Sequence, residues 1–229
     1  MTLDDREKVV LETLEKLSKQ SVVLIGGYAV NAYVPPRFSI DCDLVVLGSP
    51  RTIEDRLKKE GFVKAKSGDV SYGSYIRYEK EPSKVSFDLI FNSVVDRDTQ
   101  ISFESELFKK YSAERTTVGR IAPIRIRMAI ADPELLFAMK FVAVRRQDVR
   151  DIFMLAGEKL EWELVNKLIS EKCDTELIKM RVDFIRKSVI SKSYRDSLQG
   201  PYGKLPDKRF ETCKKVLTNF LKEITRQRN

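Results

Sequence analysis

The stretch LIGGYAVNAYVPPRFSIDCDLVV, residues 24–46, decides the fold. The apolar run SVVLI (21–25) reads as a short buried strand. It breaks at Gly26-Gly27, where the backbone can bend sharply into a helical segment expected over 26–33. Pro35 and Pro36 turn the chain, and DCDLVVL (41–47) forms the next strand. Side chains at i and i+2 of a strand share a face. Asp41 and Asp43 therefore project together, with Cys42 facing the other way. Two carboxylates this close repel one another, and a divalent cation removes the conflict. Hard oxygen donors suit Mg2+, or Mn2+, held by one or two carboxylates together with substrate phosphates.

A third carboxylate lies downstream. KVSFDLIF (84–91) sets Asp88 in an otherwise apolar alternating strand, sharing a face with Ser86 and Ile90. A lone Asp in such surroundings is costly to bury unless paired or metal-bound. If this strand lies beside DCDLVV, Asp88 completes a metal-binding cluster with Asp41 and Asp43, or serves as the base for an acceptor hydroxyl. Gly26 and Gly27 would let a phosphate approach their backbone N–H groups. Arg37 could hold a phosphate, and Ser39 could hydrogen-bond one. Each piece alone has an ordinary account: Asp-X-Asp in a turn, Gly-Gly in a strand-to-helix bend, Arg and Ser in a polar loop. Their order along one chain points to chemistry.

The rest of the sequence bounds that chemistry. The chain has 229 residues and no histidine, which excludes a Ser-His-Asp triad, a Cys-His pair and every histidine metal site. Its three cysteines, Cys42, Cys173 and Cys213, form neither a disulfide framework nor a zinc motif. A formal net charge of +8 suits a polyanionic partner. No apolar stretch is long enough to span a bilayer. The amphipathic opening MTLDDREKVVLETLEKL lacks the apolar core of a signal peptide, so a cytoplasmic location is expected.

Val9, Leu11, Leu14 and Leu17 recur at helical spacing over 4–19, and SPRTIEDRLKKEG (49–61) is a capped helix. FVKAK, SYIRYE and KVSFDLIF read as strands, 102–111 as a helix, and RTTVGRIAPIRIRMA as a hairpin or edge ribbon. That ribbon would carry Arg120, Arg125 and Arg127 toward nucleic acid phosphate or simply toward solvent. At Asp132-Pro133-Glu134 the character changes, and helices are expected over 133–145, 147–158, 161–171, 174–190 and 207–226. SLQGPYGKLPD (197–207) reads as a loop. The fold class is thus α+β: a mixed β-sheet with flanking helices over 1–131, then an all-α part over 132–229.

Together these residues resemble the nucleotidyltransferase superfamily of the DNA polymerase β type. Its pattern is a hydrophobic-Gly-Gly or Gly-Ser turn, a short gap, an Asp-hydrophobic-Asp strand and a third carboxylate on a later strand. Here Ile25-Gly26-Gly27 is followed after thirteen residues by Asp41-Cys42-Asp43, and later by Asp88. Within the superfamily, RFSIDCDLVV and DPELLFAMKFVAVRRQDVRDI look most like the AbiEii-type toxin nucleotidyltransferases and their relatives. Gly27 departs from the commoner Ser, which removes a hydroxyl.

The resemblance implies Mg-dependent transfer of a nucleoside monophosphate from an NTP to an acceptor hydroxyl, with pyrophosphate released. Asp41, Asp43 and Asp88 would be catalytic and hold Mg2+ or Mn2+. Gly26, Gly27, Arg37 and Ser39 would bind the triphosphate. Lys140 would contact nucleotide phosphates, with Asp151 orienting it or the neighbouring basic residues. A solvated helix face, with Asp148 and Asp151 pairing Arg145 and Arg150, is the competing structural account of Lys140. The acceptor stays open among tRNA or other RNA, a protein hydroxyl and a small molecule, and an antitoxin partner is implied. The alternative is a non-catalytic nucleotide- or RNA-binding module on the same fold.

Overall fold

Four consecutive aliphatic residues, Val22–Ile25, form strand β1, and all four are buried. Such a run suits a strand covered on both faces, and β1 lies inside a seven-stranded sheet. The computed structural model describes residues 2–70 and 73–228. The remaining sheet strands are β2 (Asp41–Val46), β3 (Val63–Val70), β4 (Gly73–Lys80), β5 (Val85–Phe91), β8 (Ser112–Val118) and β9 (Arg125–Ala131), in the order β3-β4-β5-β2-β1-β9-β8. The β2–β5 and β1–β9 pairs are parallel and the others antiparallel. Short β6 (Ser93–Val95) and β7 (Ser102–Glu104) pair separately.

Helix α1 (Leu3–Leu17) starts at a capping box between Thr2 and Asp5. It buries Val10, Leu11, Leu14 and Leu17, so Val10 rather than Val9 faces inward. It also buries Glu7, whose carboxylate accepts from the backbone N–H groups of Arg120, Ile121 and Ala122 at 2.8, 2.6 and 2.7 Å. That pins the loop joining β8 to β9. Helix α3 (Pro50–Lys59) buries Ile53 and Leu57, and its Glu54 accepts from the hydroxyl of buried Tyr78 on β4 at 2.6 Å. The sheet face that holds Tyr78, Phe87 and Cys42 is therefore the one covered by α3. The opposite face carries the alternate residues of β2, β4 and β5. Helix α2 (Gly26–Val30) is a single short piece, and α4 (Ser105–Lys110) follows β7, so the helix expected over 102–111 begins as a strand.

By contacts the chain divides into two compact units, residues 1–95 with 102–132, and residues 96–101 with 133–229. The second is helical: α5 (Pro133–Ala143), α6 (Arg146–Leu155), α7 (Trp162–Lys172), α8 (Thr175–Ile190), α9 (Tyr194–Tyr202) and α10 (Asp207–Arg226). Its core includes Phe137 edge-on to Trp162 and Phe220, and Phe153 against Tyr194 and Phe210. Helix α9 corrects the first part of the loop expected over 197–207, and residues 203–206 do form a loop. Tyr194, Leu198 and Tyr202 recur every four residues and are all buried, which holds the helix despite Gly200 and Pro201. Gly203 then ends it with φ of 75°, its N–H donating to the carbonyl of Gln199 at 2.9 Å. No described helix is long and apolar enough to cross a membrane.

Candidate active site

Strand register assembles the acidic face. Across the parallel β2–β5 pair, Asp43 stands opposite Asp88 and Asp41 opposite Ser86. Cross-strand partners project to the same side, so Asp41, Asp43 and Asp88 share one face, away from α3. Cys42 and Phe87, paired between them, point into the covered layer and are fully buried. Burial pushes the Cys42 thiol well above its ordinary range, and the charges of Asp43, Asp88 and Asp41 push it further.

Asp41 is exposed, and the hydroxyl of Ser86 donates to its Oδ1. Asp88 is buried and is gripped by a residue the motif reading missed. Arg77 on β4 is its antiparallel partner, and it donates from Nε to Oδ1 and from Nη2 to Oδ2, both at 2.7 Å. The same Nη2 lies 3.9 Å from Asp41 Oδ1. The Asp88 carboxylate raises the Arg77 pKa above its ordinary value. The signal for Arg77 was in the sequence: closing SYIRYE onto KVSFDLIF through a four-residue turn at 81–84 pairs 77 with 88.

The strand-to-helix turn comes within touching distance of these groups. Gly26 has φ of 69°, and a Cβ there would land on the Asp43 carboxylate. A Cβ on Gly27 would lie 2.8 Å from Ser39 Oγ and 2.9 Å from Arg37 Nη2. The turn, Ser39 and Arg37 therefore converge. The approach loop is fixed by α2 and its end: the Tyr28 hydroxyl donates to the Ser39 carbonyl at 2.7 Å, and the Asn31 side chain exchanges two hydrogen bonds with the Arg37 backbone at 2.9 and 3.0 Å. Tyr28 and Asn31 carry no chemistry of their own and gave no motif signal.

The donor chemistry fits a hard divalent cation: carboxylate oxygens on neighbouring strands, with a serine hydroxyl and a glycine turn beside them. Among the described residues, no group of three acidic side chains stands ready to hold an ion. Asp88 enters the set with Arg77 attached, and Asp41 with the Ser86 hydroxyl on its Oδ1.

In the helical unit, Lys140 lies on α5, which buries residues around its whole circumference and leaves no solvated side. Its ammonium meets Asp151 Oδ2 at 2.6 Å and Asp148 Oδ1 at 3.1 Å, with all three residues buried. Asp148 also accepts from the Arg145 N–H at 3.1 Å, and Asp151 accepts from Tyr202 at 2.5 Å and Gln147 at 2.9 Å. The solvated-face account of Lys140 is excluded. Tyr202, on the unforeseen α9, completes the network.

On the hairpin, Arg125 and Arg127 are exposed and alternate with buried Ile126 and Met128, while Arg127 pairs with Glu114 at 3.1 Å. Arg120 is exposed in the connecting loop.

The crystal structure of JHP933 from Helicobacter pylori is similar over 98% of this chain and 92% of its own, with 19% identity and a TM-score of 0.45. No curated protein matches the chain. The family model described as "Nucleotidyl transferase AbiEii toxin, Type IV TA system" matches residues 10–216, which takes in the Gly-Gly turn, all three aspartates and the Lys140 network. The chain belongs to the AbiEii nucleotidyltransferase toxin family.

Proposed function

We propose that this protein transfers a nucleoside monophosphate from an NTP to an acceptor hydroxyl. The observation that carries the reading is the shared face of Asp41, Asp43 and Asp88, set by the β2–β5 register. Asp41 and Asp43 would hold Mg2+ or Mn2+, with Asp88 sharing the ion or accepting the acceptor proton. A bound divalent cation supplies charge neutralisation and alignment of the triphosphate. Gly26, Gly27 and Ser39 line the place where phosphate oxygens would meet backbone and hydroxyl donors, and the Arg37 guanidinium offsets their charge. The acceptor oxygen bonds to the α-phosphorus, the bond to pyrophosphate breaks, and the hydroxyl proton passes to a carboxylate. Positioning and electrostatics supply most of the acceleration in such transfers.

For the helical unit, we propose that Lys140 and Asp151 serve nucleotide phosphates, Asp148 and Asp151 holding the ammonium until a phosphate competes for it. The basic balance of the chain, with exposed Arg120, Arg125 and Arg127, favours RNA such as tRNA over a protein as acceptor. An antitoxin is the expected partner for a member of this family, and a cytoplasmic location accords with both.

The grip of Arg77 on Asp88 favours a second reading, a nucleotide- or RNA-binding module without turnover. Incubation with each α-labelled NTP, Mg2+ and total RNA or lysate separates the two. Label in one macromolecular fraction, with pyrophosphate released, supports transfer and identifies the acceptor. Nucleotide binding without incorporation or pyrophosphate supports the binding module.

A further inference from the structure

We propose that Arg77 is the resident counterion of the acidic face, holding Asp88 in the absence of a divalent cation and competing with that cation for it. This rests on the metal-site reading above and adds a positioning residue to it.

The argument starts from occupancy. A carboxylate offers about four lone-pair sites on its two oxygens. The Arg77 fork takes one on each, at 2.7 Å and 2.7 Å. A planar guanidinium matched to a carboxylate in this way is among the stronger and better-oriented charge-assisted contacts. It fixes the rotation of the Asp88 side chain and leaves fewer positions for another ligand. The second element is charge. Arg77 is permanently protonated, and its Nη2 also lies 3.9 Å from Asp41 Oδ1. One cation is thus spread over two of the three carboxylates. Any divalent cation entering this face meets a like charge already seated there. The third element is placement. Arg77 and Asp88 are register partners on adjacent strands, and their side chains are 31% and 12% exposed. The sheet register sets the two side chains side by side, so no ligand is needed to form the pairing. Without Arg77, Asp88 would lose its bidentate partner and Asp41 a nearby positive charge.

The affinity for a divalent cation is therefore set by what Arg77 gives up as well as by what the aspartates offer. Nucleotide phosphates, which bring further negative charge, would relieve the conflict by giving the guanidinium a second anion to face. Cation binding is then expected to be weak alone and stronger with nucleotide.

The test is a Mn2+ titration of the full chain without nucleotide, read from the electron paramagnetic resonance signal of free Mn2+. The parent is compared with Arg77→Gln and Arg77→Lys. Arg77→Gln removes the charge and should bind Mn2+ about tenfold tighter. Arg77→Lys keeps the charge but loses the fork and should fall between them. In urea unfolding, Arg77→Gln should be the least stable without metal and gain the most from Mn2+. If Arg77→Gln does not fold without metal, Arg77→Lys carries the comparison alone. Variants that bind Mn2+ no tighter than a parent that does bind it would overturn the counterion role and leave the metal site standing. If neither parent nor variants bind Mn2+, both the counterion role and the metal-site reading fail.

Discussion

Asp43 and Asp88 are register partners on parallel strands, so their carboxylates leave the same sheet face from adjacent backbones. Forty-odd residues separate them in sequence, and α3, β3 and β4 lie between. The intervening chain folds outward from β2 and returns beside it, which makes β5 a neighbour of the Asp41-Cys42-Asp43 strand.

Gly26 is expected to be irreplaceable. An alanine there must hold φ of 69° and place its Cβ against the Asp43 carboxylate. The backbone conformation alone costs about 1–2 kcal/mol. Gly26→Ala should therefore lower the unfolding free energy from urea titration by at least that amount and abolish NTP turnover. Unchanged stability would show that the turn is not held as described.

Gly27→Ala is expected to behave differently. Its Cβ would meet the ends of Ser39 and Arg37, at 2.8 and 2.9 Å, and these can move. Stability should change by less than about 1 kcal/mol, while the KM for NTP rises. Combining it with Ser39→Ala should give a loss smaller than the sum of the two single changes, because both act on one position. Additive losses would argue against the convergence.

Much of this is legible in the sequence. The 24–46 stretch announced strand, glycine turn and paired aspartates because period-two patterning and glycine are local signals. Asp88 stood out as a charge inside an apolar strand. The pairing of Arg77 with Asp88 follows only once the turn at 81–84 fixes the hairpin register, a step that the strand patterning alone does not take. Lys140 shows the same limit from another side. Its helix is apolar nearly all round, so no amphipathic stripe says which way the lysine points, and Tyr202, which donates to its partner Asp151, sits in a segment whose Gly and Pro mask a helix.

The Lys140 network should register in stability. Removing one member of a buried ion pair costs about 3–5 kcal/mol, so Lys140→Ala should destabilise the protein by that order. Tyr202→Phe deletes one hydrogen bond to a buried carboxylate, and a loss of about 1.5–3 kcal/mol is expected. Equilibrium urea unfolding measures both. A Tyr202→Phe protein as stable as the parent would remove Tyr202 from the network.

Alkaline pH should weaken the helical unit. Burial pushes the Cys173 and Cys213 thiols up to about 11 from an ordinary value of 9.0. A raised folded pKa means that the folded state holds its proton more tightly than the unfolded chain. The stabilisation is complete below about pH 9 and declines as pH rises through about 11. Unfolding midpoints should fall across that window, and Cys213→Ala should fall less steeply. An equal slope in parent and variant would contradict the assignment.

The most direct measurement compares Asp43→Asn with the parent for incorporation of α-labelled NTP in Mg2+, with circular dichroism and unfolding midpoints recorded on both. Asparagine keeps the shape and removes the charge that would hold the ion. The account predicts a rate lower by at least about a hundredfold in a protein that remains folded. Incorporation at the parental rate would contradict it.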